Sequence, residues 1–336
     1  MTTPVRPRPA TPIVALLLLL TVALSGFAAW RAESRSAEQT DALERLQEQM
    51  AGVLREVTRL RIEQSAEGMG PQALLEKLRT YAPLTADARV TEPQFQRAKK
   101  ELAAIQLAFE ACGEDAWQPI LDRLAETDPR KDYEEVRRLL EILVRLDPPA
   151  GKQIVKEVLL GHRMPNPRLR RAAARILLAH DKPLAQRLLR QILLTESSRG
   201  VDPDRARQHG MTIPDPAAYA TTGFNNFVQL YIQSEDPKIE DTLLMVMARV
   251  EHDAITIQDC IKELGRRKCQ RALEPIKKLY DNPPLRQQNP LFLNICVQAV
   301  YDIAGADAKD WLEQKLPTAP TDLVASRIQA QLDKIK

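Results

Sequence analysis

Aromatic residues are scarce in this chain: Phe, Trp and Tyr supply 4% of 336 residues, while hydrophobic residues as a whole reach 44%. An interior built on β-favouring rings is therefore excluded, and the core must come from Leu, Ile, Val and Ala, which suit packed helices. Cysteine is also sparse. Cys112, Cys260, Cys269 and Cys296 include no Cys-x-x-Cys pair, which excludes the usual zinc and thioredoxin-like patterns, and four are too few for a disulfide scaffold of this length. The four histidines, His162, His180, His209 and His252, show no His-x-x-x-His spacing, so no metal site is indicated. Three of them fall at predicted helix ends or breaks, where a cation meets terminal carbonyls. No Gly-rich phosphate loop, Ser-His-Asp or Cys-His arrangement stands out, so the sequence nominates no catalytic, cofactor-binding or metal residue. Charge of one sign is lacking too: 48 basic residues face 45 acidic ones, for a net +3. That balance argues against a dedicated nucleic-acid binder, whose affinity rests on neutralised phosphates.

What the sequence does have begins with an address. A basic tail over residues 1–12, with Arg6 and Arg8, precedes an apolar stretch from Ile13 to Trp30. This is a positive region followed by a hydrophobic one, the pattern of an export signal. Its 18 residues are just long enough to cross a bilayer core of about 30 Å. A single-pass signal anchor, with Trp30 and Arg31 at the far interface, is the expected outcome. The alternative is cleavage near Gly26-Phe27-Ala28 and secretion. Either way the remainder is expected outside the cytoplasm.

A stalk follows over residues 37–67. Leu43, Leu46, Met50, Val53, Val57 and Leu60 alternate spacings of three and four, an a/d seam that would support a parallel homodimer through 43–60. Glu56 and Arg61 would pair across it. The run is short and Gly52 weakens it, so a single amphipathic helix remains the competing reading. Gly68-Met69-Gly70-Pro71 breaks the pattern and reads as a hinge into a linker with a short helix over 68–92.

From 93 to 316 one theme recurs: a helix with apolar residues at i, i+3, i+4 and i+7, a short break, and a second such helix. In the clearest unit Ile257, Cys260, Ile261 and Leu264 form one face, and Gly265-Arg266-Arg267-Lys268 the break. Ala272, Leu273, Ile276 and Leu279 form the next face. Gly265 is expected at the helix C′ position, where positive φ is needed. Units begin near Pro93, Asp132, Pro167, Thr222, Asp253 and Pro290, about 31 to 55 residues apart, around the repeat length of helix-pair arrays. A turn-rich insertion over 196–222 makes the longest interval and is read either as functional or as a tolerated surface loop. A helix over 317–336, with Leu323, Ile328 and Leu332 apolar, reads as a terminal cap.

These units resemble HEAT repeats, in particular the short HEAT-like repeats of bilin lyases. Leu264-Gly265 followed by Ala272-Leu273 and Ile276 to Leu279 carries the likeness, as does the helix start Asn166-Pro167-Arg168-Leu169-Arg170-Arg171-Ala172-Ala173-Ala174. A weaker match is Ala111-Cys112-Gly113 leading into Trp117, Ile120, Leu121 and Leu124. The resemblance implies an all-α fold, a right-handed αα-solenoid of helix pairs with a surface for extended partners. It also brings a rival reading, a lyase-type enzyme, on fold likeness alone.

Two basic runs offer candidate binding residues. Arg163 to Arg190 holds eight basic residues, among them Arg168, Arg170, Arg171 and Arg175, against the one acid Asp181. Lys262 to Lys278 holds Arg266, Arg267, Lys268 and Arg271. If the two share a rim they would suit an acidic protein partner or a polyanion; otherwise they are solvated helix faces. Neither run carries aromatics for base stacking, so no nucleic acid is expected. Cys260 and Cys269 flank one turn and are read either as a disulfide in an oxidising compartment or as two small buried hydrophobes.

Overall fold

The fold is all-helical. The computed structural model describes residues 69–87, 89–197, 200–201, 224–249, 254–282 and 291–335. The apolar segment 13–30, the stalk 37–67 and most of the insertion lie outside them. Among the described residues no helix is long and apolar enough to cross a membrane.

Fourteen α-helices follow one another within the described residues. The first seven are α1 (Pro71–Tyr81), α2 (Glu92–Cys112), α3 (Trp117–Glu126), α4 (Tyr133–Leu146), α5 (Pro148–Leu159), α6 (Pro167–His180) and α7 (Lys182–Thr195). After a short hairpin come α8 (Asn225–Ser234), α9 (Ile239–Met247), α10 (Ala254–Arg266), α11 (Leu273–Tyr280), α12 (Phe292–Ala304), α13 (Lys309–Lys315) and α14 (Asp322–Ile335). Starts are written in the sequence. Proline stands in the first turn of α1, α2, α5, α6 and α7, where its missing N–H costs nothing. Asp147, Asn166 and Asp181 cap α5, α6 and α7 by accepting backbone N–H bonds, and Thr91 with Gln94 forms a capping box on α2.

The packing has a simple order. The even-numbered helices α2, α4, α6, α8, α10, α12 and α14 form a row in which each touches the next, and the odd-numbered helices from α3 to α13 sit against that row. In α4, Val136, Leu139, Leu140 and Leu143 are fully buried, the i, i+3, i+4, i+7 stripe that such packing needs. In α10, Ile257, Cys260, Ile261 and Leu264 do the same.

Several expectations need correction. The short helix expected within 68–92 is α1, and it is packed into the fold instead of linking to it: Leu74, Leu75 and Leu78 are buried, and α1 packs on α2 and α3. Gly265 is not a C′ residue, because α10 continues through it to Arg266 and the positive φ, 55°, belongs to Lys268. Gly265 is needed for a different reason. A Cβ there would lie 3.0 Å from the Cβ of Ala299 on α12, so the missing side chain lets two helices of the row approach closely. In α11 the core residues are Ala272, Ile276 and Tyr280; Leu273 and Leu279 are only half-buried. In α14 Val324, not Leu323, joins Ile328 and Leu332 in the core, and Leu323 is 56% exposed. Cys112 is half-exposed.

Leu264 on α10 and Ile276 on α11 have no solvent exposure. Truncating either to alanine removes buried methyl groups and leaves a cavity, so Leu264→Ala or Ile276→Ala should each cost about 2–5 kcal/mol. Denaturant melts of the two variants check this, and near-neutral results for both would mean the buried face is misassigned.

Candidate functional site

Helical phase sorts the first basic run. Arg168, Arg171 and Arg175 on α6 are spaced by three and four, so they share one stripe. Arg168 and Arg175 are exposed and Arg171 is half-buried, and the stripe faces two surface depressions. Arg170 points elsewhere. It is 1% exposed, beside the apolar Ala173, Ala174 and Leu177. Its Nε donates to the Leu159 carbonyl at 2.8 Å, and its two terminal nitrogens donate to the Glu196 carboxylate at 2.9 and 2.5 Å. The guanidinium also lies 5.3 Å from the Phe227 ring centroid. Arg170 is thus a structural residue, and its inclusion among partner-binding candidates is corrected: a buried, forked ion pair has no charge to offer outside.

The same bond redefines the start of the insertion. Glu196 and Ser197 pair with Val201 and Gly200 in a two-stranded antiparallel hairpin. Glu196 is fully buried, so the chain leaves α7 through the core before it reaches the surface.

The second basic run is largely neutralised by its neighbours. Arg266 and Arg267 both donate to Glu263, at 2.7 and 2.7 Å in the shortest bonds. Burial alone would raise the Glu263 carboxyl, but these bonds outweigh it and hold the group below the ordinary carboxylate range. Arg271 donates to Asp241 at 2.6 Å and lies 3.6 Å from Glu240. Arg267 and Arg271 line a depression of about 440 Å³ together with Glu235, Asp236, Glu240 and Asp241. Lys262, Lys268 and Lys278 stand exposed without a carboxylate partner among the described residues. The two runs are therefore electrically different, and only the first keeps unpaired arginines.

The depressions beside α6 hold residues the sequence reading passed over. One, of about 410 Å³, is lined by Arg130, Tyr133, Asn166, Arg168 and Arg171, with no acid. The other, of about 490 Å³, lies against α2, α4 and α6 and brings Lys99, Arg137, Arg138 and Arg175 near Glu134 and Glu141. Tyr133 lines both, so the two depressions adjoin at its side chain. Burial pushes the Tyr133 phenol up, helped by Glu134 and opposed by Arg137, Arg175 and Arg171, and it stays a neutral hydroxyl at physiological pH. Arg137 is engaged by Glu134 and Glu141, and Arg138 by Glu141. The buried Nε of Arg138 has no hydrogen-bond partner.

Other chemistry is thin. Among the described residues no group of three or more His, Cys, Asp or Glu side chains could hold a metal ion. All four cysteines are free, so Cys260 and Cys269 are not joined. Burial pushes every one of their thiols above its ordinary range. His180 closes α6 as expected, with burial and then Arg145 holding it below its ordinary value, while His162 follows the end of α5. His209 and His252 lie outside the described residues. No protein-family model, curated protein or solved structure matches the chain.

Proposed function

We propose that this chain is a non-enzymatic scaffold held at a membrane, whose helix pairs form a HEAT-like solenoid that binds a protein partner in the cell envelope. The observation that carries the reading is the continuous row of even-numbered helices, each in contact with the next and flanked by the odd-numbered ones. A helix pair of this size cannot bury its own apolar face, and stacking on neighbours is how repeat proteins solve that problem. Stacked rows then leave one long helix-lined surface, the kind on which extended partners dock. The right-handed sense of the stack and the kinship with HEAT repeats belong to this proposal, on the strength of the helix pairs and the motifs quoted above.

The lyase reading needs a reactive group in a cavity. A protonated thiol is a poor nucleophile, and the elevated cysteines weigh against one used in this way. The membrane part of the proposal rests on Arg6, Arg8 and the Ile13–Trp30 segment. It has a direct test. After alkaline carbonate washing of native membranes the full chain should remain in the pellet, and its mature N-terminus should precede Ile13. Recovery of a soluble form beginning at Ala29 would replace the anchor with a cleaved signal.

A further inference from the structure

We propose that the groove across α2, α4 and α6 is the docking site of the scaffold's partner, and that its occupant is an acidic peptide segment with interleaved small apolar side chains. This rests on the scaffold reading and names the partner's chemistry.

Charge is the first argument. Arg130, Arg168, Arg171 and Arg175 have no carboxylate partner among the described residues, although they lie in a protein with nearly as many acids as bases. In the second basic run, by contrast, Arg266, Arg267 and Arg271 are answered locally. Four unanswered guanidinium groups around these adjoining depressions therefore mark a place where negative charge arrives from outside. Arginine suits carboxylates because its fork meets both oxygens at once. The end of α6 contributes little to this field, because the Asn166 side chain already accepts from the N–H groups of Arg168 and Leu169.

The floor supplies the second argument. Ala172, Ile176 and Ala179 on α6 and Phe95 on α2 line the larger depression together with Arg175. Small alkyl groups beneath a basic rim fit a chain that alternates carboxylates with modest apolar side chains. A bare polyanion would leave that floor uncovered. A single-stranded nucleic acid would ask for a series of stacking rings, and the lining offers only Phe95 and Tyr133. The hydroxyl of the half-buried Tyr133 remains to donate to a peptide carbonyl or carboxylate.

The test uses the full chain in detergent micelles and a fluorescein-labelled peptide of alternating Glu and Leu, read by anisotropy. Binding should weaken as salt rises, since exposed charges are screened beyond about 8 Å at physiological ionic strength. The triple variant Arg168→Glu, Arg171→Glu, Arg175→Glu should lose at least about tenfold in affinity, what one charge-assisted hydrogen bond is worth. The double variant Arg266→Glu, Lys268→Glu should bind as the parent does. Arg175→Gln alone, at an exposed position, should weaken binding in part and guards against misfolding of the triple variant. Replacing every Glu of the peptide by Gln should abolish binding. Equal binding of the Gln peptide, or equal loss in the Arg266/Lys268 control, overturns the proposal. So does tighter binding of inorganic polyphosphate or oligothymidylate than of the acidic peptide at the same sites. If peptide binding fails while a defined partner purified from native membranes still binds the parent and the triple variant alike, the groove assignment falls and the scaffold reading stands.

Discussion

Replacing Arg170 with alanine should lower the unfolding free energy by about 3–5 kcal/mol, the range for breaking a buried ion pair from one side. The loss does not come from the attraction alone. Glu196 is fully buried and would lose its guanidinium partner, the Leu159 carbonyl would lose its donor, and Phe227 would lose the cation over its ring. Arg170→Lys should recover little, because an ammonium cannot serve the two carboxylate oxygens and a carbonyl in the same plane. The double variant Arg170→Met, Glu196→Leu should be far closer to the parent than either single change, since removing both charges removes the desolvation cost of each. Chemical melts of the four proteins as a double-mutant cycle check this. If Arg170→Ala is within about 1 kcal/mol of the parent, like an exposed pair, the burial described here is wrong. The contrast with Arg171 and Arg175, one residue and five residues on, is part of the expectation: their reversal should change binding and leave the melt almost untouched.

The second large effect belongs to Gly151, on the first turns of α5. Gly→Ala inside a helix ordinarily gains about 0.5–1 kcal/mol. Here the sign should reverse. An added Cβ would overlap the carbonyl of Leu143 and stand 2.6 Å from the Cα of Val144. Both obstacles are backbone of α4, so no rotamer change relieves them, and the helices must separate. Gly151→Ala should therefore destabilise by about 3 kcal/mol or more, at the upper end of overpacking costs. Gly265→Ala should be milder, because the nearest atom is the side chain of Ala299 at 3.0 Å, which a small shift can relieve. Thermal melts of both variants give the ranking. A stabilised Gly151→Ala would show that α4 and α5 do not approach as closely as described.

How much of this was legible in the sequence depends on whether the signal was local. The all-α class followed from the near absence of aromatics and from the recurring three-four spacing. Helix starts at Pro148, Pro167 and Lys182 could be read from proline beside a capping Asp or Asn. The burial of Arg170 was also written locally, because Ala173, Ala174 and Leu177 stand three, four and seven residues on, and a count of charges overlooked that phase. Its partner was not legible, since nothing near Glu196 says that it returns to a residue 26 positions earlier. Arg130 and Tyr133 were missed for the same reason: they join Arg168 and Arg171 only because α4 lies beside α6. Gly265 was read as a turn because a helix break does follow, and only the neighbouring helix reveals that Ala299 requires the glycine. In α14, Leu323 and Val324 differ by one position, and a polar helix with few apolar residues does not fix the phase that closely.

The four thiols have a consequence of their own. Unpaired cysteines in an oxidising compartment are ordinarily open to mixed disulfides and to cross-linking between chains. Here Cys260 and Cys296 have no exposed surface, Cys269 is 4% exposed, and burial keeps all three protonated. Oxidants and alkylating reagents act on the thiolate, so these residues are chemically silent for as long as α10, α11 and α12 stay packed. Their silence is conditional. The rate at which they react measures how often that end of the molecule opens. The protein thus carries its own record of local opening, in three sulfur atoms that contribute to it chiefly as small apolar groups.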